Sequence, residues 1–187
     1  MQHNGFAFVF INFEQAAGFG HIGWGFHIAG DRYYFGSTDH LWRRRYPLWH
    51  PLELVRYMDV QPANNNDYWA KLGTLEQMLI TMRSGRHVRY HAYKCLQVTD
   101  PDPLTAKAYA DTMKDGGWNV WRNNCVHQSY NILTKYGARS LPSPFKMTNR
   151  FPRKWFESIA ADEVILTPST NKEIFPAVLG ALDQKVS

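Results

Sequence analysis

Cys125 closes the run W-R-N-N-C and opens V-H-Q-S-Y-N-I-L-T-K-Y-G. Asn123 or Asn124 is a side-chain cap for a helix, Val126, Tyr130 and Leu133 form its apolar stripe, and Gly137 stops it. That pattern puts Cys125 in the first helical turn, where unpaired backbone N–H groups and the positive end of the helix dipole favour thiolate over thiol. The same N–H groups can hold the oxyanion formed when a thiolate attacks a carbonyl. The chemistry implied is nucleophilic catalysis, and it needs a base from elsewhere in the chain.

The base candidates are His21 and His27 in the run H-I-G-W-G-F-H-I. Its period-two alternation directs His21, Gly23, Gly25 and His27 to one face of a strand, and Ile22, Trp24, Phe26 and Ile28 to the other. The glycines leave the histidine face without bulk, so another element or a substrate can approach it. Gly30-Asp31 suits a two-residue hairpin turn, with Arg32 to Ser37 as the return strand. A regular hairpin about that turn pairs His21 with His40, and a bulge at Gly36-Ser37 would make the partner Asp39 instead. Either residue can orient an imidazole through its second nitrogen.

Plainer readings compete with these. A cysteine near a helix start also serves as a small buried apolar residue, and a strand histidine as a hydrogen-bonded core or surface residue. Cys95, inside Y-H-A-Y-K-C-L-Q-V, reads as structural. Neither His87 with His91 nor Cys125 with His127 has a zinc-ligand spacing for its element, so no metal is expected, and no cofactor.

The elements that must position these residues give an α+β domain. Residues 6 to 13 are β-branched and aromatic and predict a strand, which begins a β-meander. Residues 41 to 69 form an elaborated insertion broken by Pro47, Pro51 and Pro62. Its aromatics (Trp42, Tyr46, Trp49, Tyr57, Tyr68, Trp69) read first as a satellite core. With Arg43 to Arg45 they also suit an amphipathic wall for an acidic substrate. A helix is predicted over 68 to 84, capped by Asp67 and ended by Gly85, then a strand over 86 to 98. Asp102 and Pro103 open a helix to about Lys114, closed by Gly116-Gly117. A basic amphipathic segment (N-R-F-P-R-K-W-F-E-S-I) precedes a terminus expected to be loosely ordered.

The 187 residues, 44% of them apolar and 20% charged, suffice for one domain over 1–187 with its own core and exclude disorder as the main state. Two cysteines exclude a disulfide scaffold. Met1 to Phe13 has no basic segment or cleavage site, and no apolar run is long enough to span a bilayer, so the expected setting is the cytoplasm with both cysteines reduced. The net charge of +5 leaves nucleic acid as a secondary partner class.

G-H-I-G-W-G-F followed by a hairpin and, about a hundred residues later, N-C-V-H at a helix start resembles the circularly permuted NlpC/P60 papain-like superfamily, with its lecithin retinol acyltransferase-like relatives. In that group the histidine strand precedes the cysteine helix, the order seen here. The resemblance covers residues 6 to 40 and 118 to 142. It implies a papain-like sheet or partial barrel packed on the cysteine helix, with Cys125 as nucleophile, His21 as base and His40 or Asp39 as orienting residue. His127 matches the family's histidine at that place and belongs to the site wall, where Asn124, His27, Trp24 and Trp118 are also expected. The implied activity is a thiol hydrolase or acyltransferase acting on an amide, ester or thioester in a peptide or lipid-like substrate. The alternative is an inactive papain-like binding module for nucleic acid or another anionic ligand.

Overall fold

A computed structural model describes residues 4–39, 58–60, 67–84 and 89–166. The strands are β1 (Asn4–Asn12), β2 (His21–Ala29), β3 (Arg32–Thr38), β4 (Asp59–Val60), β5 (Tyr68–Gly73), β6 (Ala92–Thr99), β7 (Trp118–Asn119) and β8 (Glu163–Ile165). Among the described residues the α-helices are α1 (Leu75–Ser84), α2 (Pro103–Asp111), α3 (Cys125–Tyr136) and α4 (Pro152–Ser158). Six strands form one sheet in the order β5-β3-β2-β1-β6-β8, every neighbouring pair antiparallel. The α+β class expected from the sequence is observed.

Alternation along the central strands builds two cores. Val9, Ile11, Ile22, Trp24 and Phe26 pack with Val126, Ile132, Leu133, Trp155 and Phe156 from the α3 and α4 side. Phe8, Phe10, Tyr33, Phe35 and Tyr93 pack with Leu75, Met78, Leu79 and Met82 of α1. Each fully buried large side chain contributes about 1.5–3 kcal/mol before entropy is counted. The bare glycine face of β2 admits α1: a β-carbon on Gly25 would lie 2.6 Å from the Met78 sulfur.

The hairpin is regular except at Ile28. Trp24 pairs with Gly36 and His27 with Tyr33, whereas Ala29 pairs with Arg32, so Ile28 is the extra residue. A one-residue bulge does occur, but beside the turn on β2 instead of at Gly36-Ser37. Continued along the strands, this register sets His21 opposite Asp39.

Residues 68 to 73 correct the expected helix over 68 to 84. They pair with β3 as an edge strand, Ser37 opposite Trp69 and Tyr34 opposite Leu72. The helix begins only at Leu75, behind a reciprocal cap in which Thr74 Oγ1 accepts from Gln77 N–H at 3.2 Å and Gln77 Oε1 accepts from Thr74 N–H at 2.9 Å. Edge pairing satisfies backbone groups that an aromatic, β-prone segment places well, and that outweighs the helical spacing of its apolar residues. The strand expected over 86 to 98 starts at Ala92, and residues 85–88 lie outside the described residues, as does most of the 41 to 69 insertion and the chain after 166. The expected amphipathic segment buries Trp155 and Phe156 completely.

Candidate active site

Asn124 is the N-cap of α3. Its side-chain oxygen accepts from the N–H groups of Val126 at 3.0 Å and His127 at 3.2 Å, and from the His127 ring at 2.8 Å. Its amide donates to the carbonyls of Val120 at 2.9 Å and Arg150 at 3.1 Å. The whole side chain is therefore spent on tying two loops to the helix start, which makes Asn124 a scaffold residue. Gln128 N–H bonds the Asn124 carbonyl as the first regular bond of the helix, and the N–H of Cys125 is among the first-turn donors that have no intrahelical partner. Gly137, at φ 112°, ends the helix in the left-handed region.

Cys125 is 5% exposed, and it lies close enough to His21 for its charge to act on the ring. His21, at the start of β2, is equally buried. Its Nε2 faces Ser37 Oγ at 2.8 Å and Asp39 Oδ1 at 3.2 Å. Burial on its own would favour the neutral ring. The negative charge of the Cys125 sulfur and the hydrogen bond and charge of Asp39 outweigh it, and His21 is pushed up to about 10. A thiol, an imidazole and a carboxylate thus stand in one row.

Three more side chains hold this row: Ser37 and Tyr90, which sequence reasoning missed, and Trp69, which it placed only among the aromatics of the insertion. Ser37, fully buried, also donates to the Ile22 carbonyl at 3.3 Å. Trp69 donates its indole N–H to Asp39 Oδ2 at 2.5 Å. Tyr90 stacks obliquely on the His21 ring, centroids 6.0 Å apart, with its hydroxyl beside Ser37 and Asp39. Burial and the Asp39 charge raise the Tyr90 phenol well above its ordinary value, so it stays neutral. The ring fills the space over Gly23, whose β-carbon would lie 2.8 Å from the Tyr90 hydroxyl. Ser37 had a readable signal, since it lies two residues before Asp39 on one strand face. Trp69 and Tyr90 come from elements remote in sequence, and nothing local tied either to Asp39 or His21.

The other expected residues separate. His40 lies outside the described residues. His27 is at the far end of β2, where its ring bonds the Gly30 carbonyl at 2.7 Å and packs on Tyr33; six residues of strand put it roughly 20 Å from His21. It cannot wall the site. Trp24 is in the core on the opposite strand face, against Phe26 and Tyr34. Trp118 pairs with Val60 in the β4–β7 ladder before the α3 loop. His127 is 1% exposed, donates to Asn124 and meets the edge of Phe145. Burial and the nearby Arg150 charge lower its pKa. Among the described residues no three His, Cys, Asp or Glu side chains gather as metal ligands. No family model, curated protein or solved structure matches this chain.

Proposed function

We propose that the protein is a cysteine hydrolase of the permuted NlpC/P60 papain-like kind, acting through Cys125, His21 and Asp39 on an amide, ester or thioester. The observation that carries this reading is a buried imidazole held by the Asp39 carboxylate at 3.2 Å and close enough to the buried Cys125 to feel its charge. The thiolate attacks the carbonyl carbon, and the electron pair moves to oxygen beside the Cys125 N–H. Collapse expels the leaving group, which takes the His21 proton. Water then returns a proton to His21 as its oxygen attacks the acyl carbon, releasing the acid and restoring the thiolate. Asp39 fixes the ring and stabilises its charge throughout. The cytoplasm, where thiols stay reduced, is the setting this chemistry suits.

Differential alkylation tests the reading. Iodoacetamide near neutral pH is expected to modify Cys125 far faster than Cys95, and His21→Ala to remove the difference. Cys125→Ala should keep the fold and abolish ester or amide hydrolysis. Equal, slow labelling of both thiols in the unsubstituted protein would overturn the proposal.

A further inference from the structure

The net charge of +5 has one source. From Gly116 to Phe156 the chain has seven lysines and arginines and none of its 16 acids, so this stretch alone exceeds the net charge of the whole protein. It contains the start of α3 and both loops that Asn124 ties to it.

The exposed aromatic rings gather at the same place. Among the described residues the exposed phenylalanines and tryptophans are Phe19 (57%), Trp121 (53%), Phe145 (62%) and Phe151 (42%). Trp121 follows Val120, and Phe151 follows Arg150, the two residues whose carbonyls the Asn124 amide holds. Phe19 stacks on Phe151 with centroids 5.4 Å apart. Phe145 packs on His127, which bonds Asn124. Every one of the four is thus linked by chain adjacency or a ring contact to the residues that bond Asn124, at the lip formed near the start of α3. The exposed aliphatics Leu72, Ile80, Leu104 and Ile165 lie on other elements. Single exposed apolar residues are ordinary, but four large rings around one asparagine are a patch.

The cations of the lip are interleaved with these rings. Arg153 and Lys154 face Glu157, and Lys135 and Arg139 lie at and beyond the other end of α3, which leaves the exposed Arg122 and Lys146, with the half-buried Arg150 behind them, to set the sign of the face. Each is next in sequence to one of the aromatics, as Trp121-Arg122, Phe145-Lys146 and Arg150-Phe151.

We propose that this lip is a docking face for the surface of an anionic lipid bilayer, with Phe19, Trp121, Phe145 and Phe151 entering the headgroup region and Arg122 and Lys146 meeting lipid phosphates. Interfacial binding draws on apolar area together with attraction of cations to acidic lipid. Single-stranded nucleic acid would also meet cations and aromatics, but it stacks bases on open ring faces. Phe19 and Phe151 spend a face on each other, and Phe145 is engaged in T-shaped contacts with His127 and Tyr130. The face is independent of the reaction proposed for Cys125.

Sedimentation with vesicles of phosphatidylcholine, with and without phosphatidylglycerol, tests this on the full chain. Binding is expected only to the anionic vesicles, with a blue shift of tryptophan emission that Trp121→Phe diminishes. Arg122→Glu with Lys146→Glu should lower partitioning at least about tenfold, as should Phe19→Ser with Phe151→Ser, while Leu104→Ser leaves it unchanged. Circular dichroism reports whether the variants fold, and the charge pair decides the matter if the phenylalanine pair does not. Failure to bind anionic vesicles, or binding indifferent to the charge pair, would overturn the proposal. So would tighter binding to a poly(dT) oligonucleotide with a steep salt dependence.

Discussion

Trp69, on the edge strand β5, donates its indole N–H to the Asp39 carboxylate oxygen that His21 does not use, at 2.5 Å. One carboxylate is thereby fixed from two sides, and the torsional freedom that would let it turn from the imidazole is removed. Trp69 is a positioning residue for a group two contacts from the sulfur.

Trp69→Phe keeps the ring and loses the donor. Its expected effect is a fall of about tenfold in the Cys125 alkylation rate at neutral pH, since a lost hydrogen bond to a charged group is worth roughly 1.5–3 kcal/mol. Ser37→Ala removes a neutral partner of the same ring nitrogen and should cost less. The rate constants of the two variants, measured with iodoacetamide, decide the order.

His21 should remain an imidazolium across neutral pH. Its folded-state value of about 10 is above the ordinary 6.5. The stability it confers is therefore complete below pH 6.5 and is lost as pH climbs from there through about 10. An NMR titration should show no His21 transition between pH 5 and 8, and Cys125→Ala should bring one down toward that range. Denaturant unfolding of the unsubstituted protein should weaken from pH 7 to pH 10 more than that of Cys125→Ala.

Asn124 carries two jobs that substitution can separate. Asn124→Ala loses the cap and strands two carbonyls, for an expected loss of about 2–4 kcal/mol. Asn124→Asp keeps a capping oxygen but sets an acceptor against the carbonyls of Val120 and Arg150. Chemical unfolding should find both destabilised, and a stable aspartate variant would show that the loop tie contributes little.

Gly36 is required by close approach. A β-carbon there would lie 2.2 Å from the Trp69 carbonyl oxygen and 2.9 Å from the Ala70 α-carbon, both backbone atoms of β5. Gly36→Ala is expected to separate β5 from β3, costing about 1–3 kcal/mol or more, and to slow Cys125 alkylation by carrying Trp69 away from Asp39. Gly30→Ala, where nothing lies within 4 Å but φ is +57°, should affect stability alone. Comparing alkylation rates of the two variants separates the two effects.

Local codes were legible in the chain. The Asn124 cap, the Gly137 stop, the Asp102 cap that accepts from Thr105 N–H at 2.9 Å, and the alternation of β2 each depend on residues within one turn or one strand. The hairpin offered two partners for His21. Asp39 is the one the described residues place there, because an extra residue at Ile28 moves the register by one, and nothing in the identity of Ile28 announces a bulge. Tyr68 to Gly73 carried apolar residues at helical spacing, yet the free edge of β3 made strand pairing the better use of their backbone. Types and short spacings thus determined what Cys125 and His21 could do. Only the tertiary structure brought Asp39, Ser37 and Tyr90 to the same ring and Trp69 to Asp39, because strand register and edge pairing are settled between segments far apart in the chain.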